Sequence, residues 1–142
     1  MKKIIILKGK SEVGKTTILN KLIDWLNSNP NLTNISITEL HPPDRIAIIE
    51  INGFRIGILT QGDEYEPVKR HLNEIHQENC DVIVCCCRTR ISSYTAVKEF
   101  INKHNNLQKL YLPIWINLLP PSNNLQSNQI LLELKAYLTG IN

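Results

Sequence analysis

Two glycines five positions apart, followed at once by a lysine and a threonine, make the most chemically loaded segment of this chain: Gly9-Lys10-Ser11-Glu12-Val13-Gly14-Lys15-Thr16. Glycine at both ends frees the backbone to turn successive N–H groups inward, where a side chain would obstruct them, so the bend can form a concave nest for an anion. A helix starting near Lys15 would add its unpaired N-terminal amides and the positive end of its dipole. Lys15 supplies a point charge able to reach the outer phosphates of a polyphosphate, the Thr16 hydroxyl can face a divalent cation such as Mg²⁺, and Thr17 can assist at the innermost phosphate. The competing reading is a glycine-rich turn that caps an ordinary helix and leaves Lys15 in solvent. It accounts for neither the spacing nor the Lys-Thr pair.

A cation placed there needs a carboxylate from the end of a nearby strand. The apolar run Phe54 to Thr60 is followed by Gln61-Gly62-Asp63-Glu64. Asp63 is therefore the preferred metal-shell residue, and an N-cap for the next helix is its alternative role. Gln61 and Glu64 are either positioning groups for an attacking water or solvated loop residues. Glu50 precedes a hairpin turn and Asp81 precedes its strand, which makes both poorer candidates. Arg88 and Arg90, with Ser92, Ser93 and Thr95 behind them, leave another apolar run at the same end. They could stabilise charge on a transferring phosphoryl group, clamp a phosphate-bearing substrate, or merely solvate a loop or pair with Glu side chains.

These residues need elements to hold them. Residues 2 to 8 read as a buried parallel strand, and apolar positions Ile18, Leu19, Leu22, Ile23, Trp25 and Leu26 predict a helix from Lys15 that ends before Pro30. Strands are expected at Ile35 to Leu40 and Arg45 to Ile51, separated by the turn His41-Pro42-Pro43-Asp44. Asn52-Gly53 then predicts a type I′ hairpin into Phe54 to Thr60. Further helices are expected at 65 to 79, 93 to 104 and 125 to 139, with strands at 81 to 87 and 109 to 117. Pro113 pushes the last strand to an edge or a bulge. This alternation predicts an α/β sandwich in one domain.

The Gly9–Thr16 pattern, set between a strand and a helix, resembles the Walker A loop of P-loop nucleoside triphosphate hydrolases. The resemblance implies a three-layer α/β/α fold, mainly parallel with one antiparallel hairpin strand, and a bound nucleoside triphosphate with Mg²⁺. Lys10 occupies the place of the signature lysine in the deviant Walker A loop of dimeric partitioning-type ATPases, although Ser11 and Glu12 stand where that pattern has glycines. In that resemblance Lys10 would reach a partner's nucleotide in a homodimer; otherwise it is a solvated loop lysine. Residues Glu12 to Thr16 are also similar to the loop of dethiobiotin synthetase. The element order is similar to the Ras-like arrangement, with Thr60 to Glu64 at that family's D-x-x-G switch. No Asn-Lys-x-Asp follows Leu110 to Asn117, so adenine nucleotide is the default.

Composition removes other classes. The formal charge is +3 over 142 residues with scattered basic side chains, too mild a field for nucleic acid. No apolar run approaches the roughly 18 to 20 residues of a membrane span, and a cytoplasmic protein is expected. Cys80, Cys85, Cys86 and Cys87 read as small buried hydrophobes, because consecutive strand side chains alternate and cannot converge on one metal. His41, His71, His76 and His104 show no metal spacing and are expected at the surface; Trp25 and Trp115 are expected in the core. The leading expectation is an Mg²⁺-dependent ATPase. A small-molecule or nucleotide kinase and a nucleotide-dependent interaction switch are the alternatives.

Overall fold

A computed structural model describes residues 2–10, 13–114 and 124–138. The first strand, β1 (Lys3–Gly9), buries Ile4 to Leu7 completely or nearly so, as a strand covered on both faces must. After the loop, α1 (Lys15–Asn27) turns Ile18, Leu19, Leu22, Ile23 and Leu26 inward at the helical spacing expected. Next, β2 (Leu32–Glu39) begins three residues earlier than the apolar pattern suggested, because most of it is exposed and its polar residues give no burial signal. It pairs antiparallel with β3 (Arg45–Ile51), which turns through Asn52 and Gly53 into β4 (Phe54–Leu59). Those two turn residues have φ of 52° and 78°, the left-handed geometry a type I′ hairpin demands.

The remaining elements alternate as expected: α2 (Tyr65–Gln77), β5 (Val82–Cys87), α3 (Ser93–Lys103), β6 (Gln108–Ile114) and α4 (Asn124–Leu138). Together the strands form a six-stranded mixed sheet in the order β2-β3-β4-β5-β1-β6. β1 is parallel to β5 and β6, and β4 is parallel to β5, so β3 alone runs against the rest. β6 lies at an edge, where no further described strand pairs with it and the N–H that Pro113 lacks is tolerated.

Each face of the sheet carries its own core. α1 and α4 cover Ile5, Leu7, Ile49, Ile56, Ile58 and Val84. α2 and α3 cover Ile4, Ile6, Leu59, Ile83, Cys85 and Cys87. Full burial of each such aliphatic side chain contributes about 1.5–3 kcal/mol relative to exposure, so the sheet is held by both helix layers. Cys86 points to one core and its two neighbours to the other, and all four cysteines are free and buried, as expected of small hydrophobes.

Three expectations need correction. His71 is buried, not superficial, because it falls on the α2 face formed by Val68, Leu72 and Ile75. His76 and His104 are half-buried and stacked, with ring centroids 3.7 Å apart, since the last turns of α2 and α3 meet there. Only His41 is exposed as expected. Trp25 packs against the α1/α4 core while remaining partly accessible. Trp115 lies outside the described residues.

No helix among the described residues is long and apolar enough to cross a membrane.

Candidate functional site

Topology alone singles out one crevice. The chain leaves β1 through α1 on one face of the sheet, and leaves the adjacent β5 through α3 on the other. Adjacent parallel strands whose connections diverge in this way open a cleft at their carboxyl ends, where ligands of open α/β sheets characteristically bind. The Gly9–Thr16 loop follows β1 at that point, and Arg88 follows β5.

Gly14 takes the left-handed conformation, φ 99°, as N-cap of α1, and its carbonyl accepts the first helical bond from Ile18 N–H. A side chain there would be strained, so glycine is required by the backbone itself. At Gly9 the constraint is space: a Cβ would sit 3.1 Å from that of Ile114 and 3.2 Å from Val13 Cγ2. Ser11 and Glu12 lie outside the described residues. Lys15 is not solvated. It is only 5% exposed, and its ammonium folds back to donate to the carbonyls of Gly9 and of Lys10, the latter at 2.9 Å. Burial lowers its pKa, while the nearby charge of Asp63 acts in the opposite sense.

Thr16 Oγ1 lies 3.1 Å from the Thr60 carbonyl and 3.4 Å from Asp44 Oδ1. Asp44 also receives the Thr60 hydroxyl at 3.4 Å, and Thr60 Oγ1 in turn accepts from Arg45 N–H at 2.8 Å. Thus the start of β3 and the end of β4 come together beneath Thr16. Burial raises the Asp44 pKa, and the two threonine hydroxyls partly offset that rise.

Asp63 faces Arg88, with 3.6 Å between Oδ1 and Nε, while its backbone carbonyl accepts from Ser92 Oγ at 3.0 Å. Arg88 N–H donates to Ser93 Oγ at 2.9 Å. Gly62 brings the two segments together: a Cβ on it would collide with Cys86 Sγ and with the Cys86 backbone. Two buried polar atoms in this region, Gln61 Oε1 and Arg88 Nε, have no hydrogen-bond partner. Ile91 and Ser92 have positive φ, 42° and 51°, which is strained for a β-branched residue, and Ile91 is 72% exposed.

The described ones among the predicted residues therefore gather at one end of the sheet, at different depths. Lys10, Thr17 and Arg90 are exposed, and Val13 packs on the core. The N-cap of α2 is Glu64 with no side-chain cap bond, so capping is not the role of Asp63. Glu50 and Asp81 hold Arg55 at the hairpin end, through a 3.1 Å ion pair and a 2.9 Å bond to its N–H. β5 intervenes between β1 and β4, so the Thr60–Glu64 segment reaches the loop across a strand and not from its neighbour. Asp44, which the sequence pattern places in a turn, joins this group. Its signal was present, since a hairpin partner antiparallel to β4 must begin at the end where β4 finishes.

The donors that meet at Thr16 are oxygens, a hydroxyl and the Asp44 carboxylate. Among the described residues no group of three or more His, Cys, Asp or Glu could hold a metal ion. Any cation there would be a hard one that keeps most of its water.

No protein-family model matches the chain, and neither a curated protein nor a solved structure matches it.

Proposed function

We propose that the chain binds a nucleoside triphosphate, ATP by default, together with Mg²⁺ between the carboxyl ends of β1 and β5, and hydrolyses it. One observation carries this reading: the buried Lys15, whose ammonium is held by the Gly9 and Lys10 carbonyls, immediately precedes Thr16, whose hydroxyl meets Asp44, and burial disfavours the charged form of both ionisable groups. An anion would relieve the first and a cation the second. A polyphosphate–Mg²⁺ complex brings both together.

In this reading Lys15 gives up its loop carbonyls for the outer phosphates, and the amides around Gly14 and the start of α1 hold the inner ones. Thr16 would ligate Mg²⁺, with Asp44 or Asp63 on its water shell; the ion supplies neutralisation of phosphate charge. Arg88, whose Nε lacks a hydrogen-bond partner, turns from Asp63 toward the transferring phosphoryl group. Gln61 and Glu64 orient the attacking water. Chemistry then reduces to positioning and electrostatics.

Release of inorganic phosphate from MgATP tests the proposal. Turnover that needs Mg²⁺ and drops at least about a hundredfold in Lys15→Ala is expected, in line with loss of one preorganised charge stabiliser. Turnover unaffected by that substitution contradicts it. Label appearing on an added metabolite, with no free phosphate, would indicate a kinase.

A switch role has support of its own in the Ser92–Asp63 bond, which ties the segment after β4 to the strained loop after β5. Hydrogen exchange over residues 61–66 that differs between ATP-analogue and ADP complexes is its signature.

A further inference from the structure

The two edges of the sheet are finished differently. β6 carries an exposed lysine, Lys109, and an exposed proline, Pro113, both of which discourage another strand from adding. β2 has the sequence LTNISITE: eight residues with no proline, no lysine and a single charge, Glu39. Its one irregularity is a register shift between Leu32 and Asn34.

Hydrogen bonds fix which backbone groups of β2 face outward. Leu40 N–H donates to the Asp44 carbonyl, and Thr60 N–H to that of Arg45. In an antiparallel ladder bonded pairs alternate, so Asn34, Ser36 and Thr38 spend their backbone groups on β3. Ile35, Ile37 and Glu39 present theirs to the open edge, where no described strand pairs with them.

We propose that this edge joins a second copy of the chain, β2 antiparallel to β2 about a two-fold axis through Ser36, making one continuous sheet. The register is self-complementary, as a two-fold interface must be. Ile35 lies opposite Ile37 twice, which covers the partly exposed Ile37 with the partner's apolar side chain. Thr33 lies opposite Glu39 and Asn34 opposite Thr38, so no like charges meet. Ile35–Ile37 also falls on the outward-facing phase, giving a bonded pair, while Ser36 meets its own copy in the closer, non-bonded spacing of about 4.5 Å between Cα atoms.

Sedimentation of the full chain over a micromolar concentration series, with and without MgATP, tests this. A nucleotide-independent dimer is expected, weakened at least about tenfold by Ile37→Lys, which sets a charge against an apolar partner. Ile37→Pro keeps the bonds to β3, because only an outward N–H is lost, and should give a folded monomer. Ser36→Cys should cross-link to a covalent dimer under mild oxidation, since that spacing suits a disulfide and the four native cysteines are buried. A monomer at every concentration overturns the proposal, as does a dimer whose affinity Ile37→Lys leaves unchanged. Equal cross-linking by Thr38→Cys overturns the register.

Discussion

Thr16 Oγ1 stands 3.4 Å from Asp44 Oδ1, joining the first helix to the start of the third strand across 28 residues of chain. The pair places a carboxylate where the loop's hydroxyl can share a cation with it, and it is raised in pKa by its own burial. A cation binds the ionised form. Mg²⁺-nucleotide affinity should therefore fall as pH drops through the raised Asp44 value, beginning at a higher pH than for an exposed carboxylate.

The same shift bears on the stability of the fold itself. Between the ordinary carboxylate value of 3.8 and the raised one, the folded state binds more protons than the unfolded chain, so stability contributed by this group declines as pH rises across that window. Asp44→Asn should melt at a higher temperature than the parent at neutral pH without nucleotide, yet bind MgATP at least about tenfold more weakly, a loss of roughly 1.4 kcal/mol. Melting and calorimetry of the two proteins check both halves. A variant both less stable and equally tight in binding would remove Asp44 from the site.

Arg88 should affect the reaction more than binding. Arg88→Ala is expected to lower kcat by about a hundredfold or more while leaving the nucleotide affinity within a few-fold, as for one preorganised donor aimed at developing charge. Steady-state kinetics paired with equilibrium binding separate the two. Equal losses in both would make Arg88 a ground-state clamp.

Gly62 has no room for a methyl group against Cys86. Gly62→Ala should cost about 1–3 kcal/mol, the usual range for overpacking, and displace Asp63 from Arg88. Denaturant unfolding gives the first figure and turnover reports the second. Unchanged stability would mean that the segment yields freely.

The stacked pair His76 and His104 gives an acid-side signature. Burial lowers the His104 pKa, with His76 and Lys103 adding to the effect. Below about pH 6.5 the unfolded chain takes up a proton at this position before the folded one does, so stability should fall as pH drops through that range. His104→Phe should flatten this part of the melting profile, and an unchanged slope would assign it elsewhere.

Much of this arrangement could be read from residue order, and the part that could not has a physical cause. Asn52-Gly53 announced its hairpin because only residues tolerant of positive φ serve there, and Pro113 announced an edge because it cannot donate. The loop from Gly9 to Thr16 is local in sequence, so its spacing was visible at once. The hairpin places Asp44 at the same end of the sheet, but its partnership with Thr16 depends on the register of β2, β3 and β4, which residue order does not give. Nor does it give the burial of His71 or the insertion of β5 between β1 and β4, because strand order is decided by which helix covers which face. The exposed strand β2 gave a weak apolar signal for the same reason that it is free to pair.

Calorimetric titration of MgATP into the chain and into Lys15→Ala is the most direct test of the central claim. The parent should bind with one site per chain, and the variant should lose at least about a hundredfold in affinity, roughly 2.7 kcal/mol, while remaining folded. Equal affinity in the two proteins, or no heat from the parent at any concentration, would contradict a polyphosphate seat at the junction of β1 and α1.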